Sequence, residues 1–326
     1  MTGQTGKPRK ILAVVDTRKT QIALESAFAL AQTHDASLEV IACVEPPSDL
    51  SLLSRLSGAD SDRLIAAAVA RSREEIEARL AELIPDRSVP LSVSVGKVYL
   101  EVIRHVANSG CDVVVKQAEP LVGVDRFLFA STDQHLLRKC PCSVWLQTDS
   151  APKRPRRILA AVDLDLWDAE EPKTLEDLNR RVIDAACILA GAPDTEITVL
   201  HAWDAPAEGM VWAFSDGSGS RLNADRYVNE ILETRHEAMR RFIAQVRSED
   251  GFRPSLVPRL ARGSPETVIY KQSREMRADV VVMGTVARTG LSGVFIGNTA
   301  ENIINGLDCP VLAVKPEGFQ SPLQNL

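Results

Sequence analysis

Two stretches of this 326-residue chain repeat one another. Ile11-Leu12-Ala13-Val14-Val15-Asp16 returns as Ile158-Leu159-Ala160-Ala161-Val162-Asp163. Val113-Val114-Val115, a loop and Cys142-Ser143-Val144-Trp145-Leu146 return 167 residues later as Val280-Val281-Val282, a loop of equal length and Cys309-Pro310-Val311-Leu312-Ala313. A unit that recurs in this way is a duplicated domain. One fold is therefore built twice, and a site must be sought in both copies. The length suits two domains of roughly 100–200 residues each.

Each copy alternates strand and helix, the pattern of an open parallel sheet covered on both faces. In the first copy, strands are expected at Lys10 to Asp16, Ser37 to Val44, Leu91 to Val95, Asp112 to Val115 and Ser143 to Gln147. The helices between them are expected at Thr20 to Thr33, Ser61 to Ile84, Tyr99 to Asn108 and Thr132 to Arg138. Ile65, Val69, Ile76, Leu80 and Leu83 recur at helical spacing, and Pro85, which has no N–H, ends that helix. The second copy runs in the same order, with strands near Arg157, Ile197, Ser255, Asp279 and Pro310 and a strongly amphipathic helix over Tyr227 to Val246. Ala205 to Arg226 is a longer, Gly-rich stretch with Trp212 and Phe214, read as a lid or a surface loop. The expectation is an α/β chain of two tandem open-sheet domains, residues 8–147 and 156–316, each with a mainly parallel five-stranded sheet.

Charge and apolar runs narrow the function classes. A net charge of −6 without long like-charge runs argues against a nucleic-acid surface, which needs clustered Lys and Arg. The one basic cluster, Lys153-Arg154-Pro155-Arg156-Arg157, lies between the copies and reads as a solvated linker. No stretch approaches the roughly 20 apolar residues of a membrane helix, and Met1 to Lys7 lacks a signal-peptide core. The chain is therefore placed in the cytoplasm, a setting that would keep its six cysteines, too few for a disulfide framework, reduced. Cys43, Cys111, Cys187 and Cys309 lie in or beside apolar runs and read as small core residues.

Open α/β sheets bind ligands beyond the carboxyl ends of their strands, where helix N-termini offer N–H groups to anions. In the second copy the loop after strand four runs from Met283-Gly284-Thr285 to Gly297-Asn298-Thr299, followed by a helix from Ala300 to Asn305. Taken with strand-Asp at Asp16 and Asp163, Gly-x-Pro-Glu at Gly263 to Glu266, Asp-Val-Val-Val-Met-Gly at Asp279 to Gly284 and Cys-Pro-Val-Leu-Ala-Val at Cys309 to Val314, this chain resembles the universal stress proteins over nearly its full length. Ser131 to Cys142 resembles their tandem-domain subtype.

The resemblance implies a Rossmann-like, adenine nucleotide alpha hydrolase-like fold and pairing of the copies through their last strands as an intramolecular pseudo-dimer. It implies ATP or another adenine nucleotide with Mg as ligand, held by a G-x2-G-x9-G-[ST] loop whose glycines let the backbone approach the phosphates. Gly284 and Gly297 occupy the first and third glycine positions, Ala287 replaces the second, and Asn298 replaces the hydroxyl residue with Thr299 next along. The expected ligand residues are Asp163, Met283, Gly284, Ala287, Gly297, Asn298 and Thr299. In the first copy, Gln117, Pro120 and Ala130 stand where the glycines would be and only Ser131 matches, so that copy is expected not to bind ATP. Its apolar loop from Leu121 to Phe129 reads as a cover for the sheet end, a domain interface or a site for a greasy ligand.

Several residues carry two readings. Asp163 either contacts adenine or ribose, as the resemblance implies, or caps the turn after its strand, as Asp16 would. Asp165 and Asp168 either hold a divalent cation beside phosphates or are solvated acids. His135, Cys140 and Cys142 suggest zinc, but His-x4-Cys-x-Cys lacks a fourth ligand and matches no closed site, so no metal site is assigned. Gly96-Lys97 is not a phosphate loop, and neither a nucleophile elbow nor a catalytic triad is legible. No catalytic residue is assigned, and weak ATP hydrolysis is the most the chain is expected to do. The first expectation is a cytosolic stress-response module binding a small phosphorylated ligand through its second copy, with protein partners unknown. The alternatives are an interaction scaffold that binds no nucleotide and a carrier of an amphiphilic metabolite. The resemblance implies survival of starvation, oxidants and DNA damage as the physiology.

Overall fold

The computed structural model describes residues 7–119, 131–191, 194–214, 220–247, 254–285 and 297–323. The first copy runs β1 (Lys10–Val15), α1 (Ile22–His34), β2 (Ser37–Val44), α2 (Leu50–Ser57), α3 (Ser61–Leu83), β3 (Leu91–Val95), α4 (Val98–Ser109), β4 (Val113–Gln117), α5 (Ser131–Lys139) and β5 (Ser143–Gln147). The second runs β6 (Arg157–Ala161), a short 3-10 turn (Leu166–Asp168), α6 (Pro172–Ala190), β7 (Glu196–Trp203), α7 (Glu208–Phe214), α8 (Ser220–Arg247), β8 (Ser255–Arg262), α9 (Pro265–Glu275), β9 (Val280–Gly284), α10 (Asn298–Gly306) and β10 (Val311–Val314).

All ten strands form one sheet in the order β3-β2-β1-β4-β5-β10-β9-β6-β7-β8. Pairs within each half are parallel, and the halves meet where β5 and β10 run antiparallel, with Val311 opposite Leu146, Leu312 opposite Trp145 and Ala313 opposite Val144. The two five-stranded sheets therefore join edge to edge, and each inner edge is paired rather than left as open backbone. Trp145 at this seam is 1% exposed.

Strand alternation sends side chains to two cores. Ile11, Ala13 and Val15 point to one face with Leu24 of α1, Ile76 of α3, Val182 of α6 and Phe242 of α8. Leu12 and Val14 point to the other with Ile103 of α4, Leu136 of α5, Ile269 of α9 and Ile303 of α10. The near-continuous Val and Ile runs of β4 and β9 follow from burial on both faces.

The repeated Asp before the fourth strand of each copy has a structural role. One oxygen of Asp112 accepts the N–H groups of Arg9 at 2.7 Å and Lys10 at 2.9 Å, and Asp279 does the same for Arg156 and Arg157, both at 2.9 Å. Each acid thus ties the start of the first strand to that of the fourth. Burial opposes ionisation of Asp279, but the Arg157 guanidinium and the two N–H groups hold its carboxyl below the usual range.

Several boundaries differ from those read in the sequence. β4 runs on through Lys116 and Gln117 because Leu146 and Gln147 of β5 continue to pair with them. α2 and α7 are extra helices after the second strand of each copy, and α8 begins at Ser220, so much of the Ala205 to Arg226 stretch is helical. The basic linker is solvated, with the Lys153, Arg156 and Arg157 side chains half or more exposed, and it also reaches acids: Lys153 lies 3.0 Å from Glu25, Arg156 3.4 Å from Asp194 and Arg157 2.8 Å from Asp279. No helix among the described residues is long and apolar enough to cross a membrane.

Candidate functional site

In the second copy, β6, β9 and α10 bring the expected residues to the carboxyl edge of the sheet. Asp163 follows β6, and its Oδ1 accepts the Asp165 N–H at 3.2 Å. Its backbone N–H donates to Asn179 Oδ1 at 2.9 Å, and its carbonyl accepts Asn179 Nδ2 at 2.6 Å. Asp16 caps its own turn likewise, accepting the Arg18 N–H at 2.9 Å. The capping role read for both acids is therefore present. Met283 is buried within β9, and Gly284 ends that strand against β10. A Cβ on Gly284 would lie 2.6 Å from Leu178 Cδ2, so a larger residue there would have to displace the Leu178 side chain of α6.

Thr285 is buried, and its hydroxyl and N–H both donate to the Val314 carbonyl at 3.2 Å. Its carbonyl accepts the Gly297 N–H at 3.0 Å, which brings α10 back beside the end of β9. Gly297 is the residue before α10 and has no side chain with which to cap it. The first intrahelical bond runs from the Glu301 N–H to the Gly297 carbonyl, so the N–H groups of Asn298, Thr299 and Ala300 precede it and need other acceptors. The side chains of Asn298 and Thr299 are exposed. Ala287 lies outside the described residues, as do Pro120, Ala130 and the apolar Leu121 to Phe129 loop of the first copy.

The first copy fills the corresponding place with its own charges. Lys116 and Asp133 stand where the second copy has Met283 and Ala300. Lys116 Nζ donates to Asp133 Oδ1 at 2.8 Å, to Glu119 Oε1 at 2.8 Å and to the Gln117 carbonyl at 3.0 Å. The other Asp133 oxygen accepts the Glu119 N–H at 2.7 Å. Asp133 lies in the first turn of α5, where a negative charge is favoured, and its side chain is fully buried. Burial lifts the Asp133 carboxyl above its usual range against the pull of Lys116. Burial also opposes the charge on Lys116, but Asp133 and Glu119 outweigh it and raise the amine.

Gln117, at the first glycine position, hydrogen-bonds Asp149 and accepts the Thr20 hydroxyl at 3.1 Å. Thr20, Lys116, Gln117 and Glu119 line part of a cleft of about 860 Å³ that also includes Asp16, Arg18 and Lys19. The Val113-Val114-Val115-Lys116-Gln117 run carried the signal for this network, since a lysine and a glutamine close an otherwise apolar strand. Asp133 carried none.

A second buried cluster was not legible in the sequence. Asp165 Oδ1 lies 2.6 Å from Arg235 Nε and 3.5 Å from His201 Nε2, all largely buried at the ends of β6 and β7 and under α8. Arg235 also lies over the Trp167 ring, 5.4 Å from its centroid. Arg235 therefore already balances the Asp165 charge, which corrects the reading of Asp165 as a solvated acid and weighs against a cation there. The Asp168 side chain is outside the described set. The His135 ring stacks on Tyr99 with centroids 4.2 Å apart and makes no three-ligand group with Cys140 and Cys142. Among the described residues, Glu39, His105 and Cys111 bring three potential ligand atoms within 4.8 Å, but Lys10 Nζ lies 3.0 Å from Glu39 and opposes a cation.

A doubled open sheet, mainly parallel and covered on both faces, defines a tandem α/β protein of Rossmann-like architecture. The universal stress protein family model matches residues 7–146 and 155–315, and the chain belongs to that family. It is 30% identical to the universal stress protein E of Salmonella typhi over 243 residues, 73% of each chain. It is 29% identical to the protein of the same name from Escherichia coli K12 over 240 residues, 72% of each chain. The solved structure of a functionally unknown Pseudomonas aeruginosa protein superposes with a TM-score of 0.67 at 25% identity, covering 95% of this chain and 93% of that one.

Proposed function

We propose that this stress-response protein works in the cytosol and binds an adenine nucleotide, ATP with Mg or a close relative, through its second domain. The domains are taken as 8–147 and 156–316. The observation that carries the reading is the contrast between equivalent helix starts. α5 has a buried carboxylate in its first turn and a lysine to balance it, whereas α10 begins at a glycine and has Met283 and Ala300 at those places. A helix start without an internal anion suits a phosphate. Asp163, Met283, Gly284, Ala287, Gly297, Asn298 and Thr299 are the proposed contacts. Bound ligand would order this edge and shift the population of surfaces offered to partners.

The test is thermal unfolding of the wild type, Gly297→Val and Met283→Lys/Ala300→Asp, with and without Mg-ATP, ADP and AMP. The double variant transplants the first copy's ion pair. The wild type should gain about 2.7 kcal/mol at a ligand concentration of 100 Kd, and both variants should lose the gain. No shift with any nucleotide would sink the reading. It would favour an interaction scaffold, for which the engagement of Asp163 in its own turn and of Asp165 with Arg235 already speaks.

A further inference from the structure

We propose that Cys140 and Cys142 form a reversible dithiol–disulfide couple at the seam between the two halves, oxidised by a low-molecular-weight disulfide, with Lys315 as the charge that steadies its thiolate. Cys140 follows α5 and is fully buried, Pro141 intervenes, and Cys142 is partly exposed just before β5. Their sulfurs lie 3.7 Å apart as free thiols in hydrogen-bond contact. Pairing therefore requires a short local movement rather than a rearrangement of the fold.

Lys315 comes from the other half. Extending the β5–β10 register by two places sets Cys142 opposite Lys315, which is 2% exposed. Its ammonium donates to the Leu137 carbonyl at the end of α5, and both sulfurs lie within its electrostatic reach. Burial disfavours the Cys140 thiolate, but the hydrogen bonds from the Cys142 thiol and N–H, helped by Lys315, bring this thiol below its ordinary range. Two thiols in contact beneath a positive charge are placed for exchange. The second half lacks all of this: Leu307 and Thr148 stand in the places of Cys140 and Lys315, so Cys309 has neither a partner thiol nor a lysine. Burial pushes the Cys309 thiol up to about 12.

The exchange balances without another reactant. Cys140 gives its proton to solvent and takes up the proton of the partly exposed Cys142, and the Cys142 thiolate attacks one sulfur of the small disulfide and releases one small thiolate. Cys140 then loses its proton and attacks the Cys142 sulfur, and the second small thiolate leaves. The protein dithiol loses two electrons and two protons, and the small disulfide becomes two thiols.

The experiment is incubation of the full-length chain with glutathione disulfide under native conditions, followed by native thiol titration and peptide mass mapping. The wild type should lose two thiols, its 140–142 peptide should lose two hydrogens without retaining glutathione, and a small dithiol reductant should restore it. Cys140→Ser should instead hold a stable glutathione adduct on Cys142. Lys315→Met should oxidise roughly three- to tenfold more slowly, because less thiolate is present. The mapping of the wild type needs no variant. A persistent glutathione adduct, pairing with Cys111 or Cys309, or no reaction would overturn the couple, and an unchanged rate in Lys315→Met would overturn the role of the lysine.

Discussion

Removing the Lys116 ammonium should expose how much of the first copy depends on its internal ion pair. In Lys116→Met, Asp133 keeps the Glu119 N–H at 2.7 Å but loses the balancing ammonium, while its side chain stays fully buried. Orphaning one member of a buried pair costs about 3–5 kcal/mol. In Lys116→Met/Asp133→Ala the pair becomes the Met and Ala that the second copy carries in the same places, so the double variant should lie within about 1–2 kcal/mol of the wild type or above it. The coupling between the two sites should then approach the summed costs of Lys116→Met and Asp133→Ala made singly. The pH dependence has a definite sign. A buried carboxyl whose folded pKa lies above its unfolded value destabilises the fold when ionised, so the deficit of the single variant should be largest at neutral pH and shrink on acidification. Urea titrations followed by intrinsic fluorescence at several pH values measure both effects. A double variant as unstable as the single one, or a deficit that does not change with pH, would refute the assignment of Asp133 as an internal anion balanced by Lys116.

Other outcomes follow from neighbouring features. Burial pushes the Lys315 amine down to about 8, so the unfolded chain binds the extra proton between about pH 8 and 10.5 and stability contributed here should rise across that window. Lys315→Met should abolish that rise and be more stable than the wild type at neutral pH by up to about 3 kcal/mol, read by denaturant unfolding at each pH. Gly284→Ala should cost about 1–3 kcal/mol through its clash with Leu178, and Leu178→Ala in the same chain should relieve that clash, giving a non-additive cycle in thermal unfolding. Asp112→Ala should cost about 1.5–3 kcal/mol by releasing two N–H groups, and Asp279→Ala at least as much because Arg157 is orphaned as well; equal stability of either variant and the wild type in urea would be contrary evidence.

The doubling and the succession of strands and helices along each copy were legible, because they rest on repeated aliphatic runs and on fixed periodicities. Pairing through the last strands came from family resemblance, not from the residues of β5 and β10 themselves. α2 and α7 escaped notice because an eight-residue and a seven-residue helix offer about two turns of pattern and sit where a loop is the default. The charge pairs were illegible for a different reason. Asp133 lies 17 residues from Lys116, and Arg235 lies on a helix far from Asp165, so only the fold could show that each charge meets its opposite. Of the two readings of Asp163, the turn cap is the one the structure displays, through the Asp165 N–H. Cys140 and Cys142 drew attention through their spacing, but the third participant, Lys315, belongs to the other copy.

Covalent fusion of the two halves changes what their shared edge permits. Two separate chains meeting through identical last strands would have to carry the same residues at both helix starts, and dilution would part them. Here one polypeptide supplies both sides of the β5–β10 junction, so contact between the halves does not depend on protein concentration. The two sides can then differ: a substitution at α5, where Asp133 stands, leaves its counterpart Ala300 in α10 untouched. The antiparallel junction therefore makes asymmetry heritable, and a single gene can tune the tether between two unlike sites.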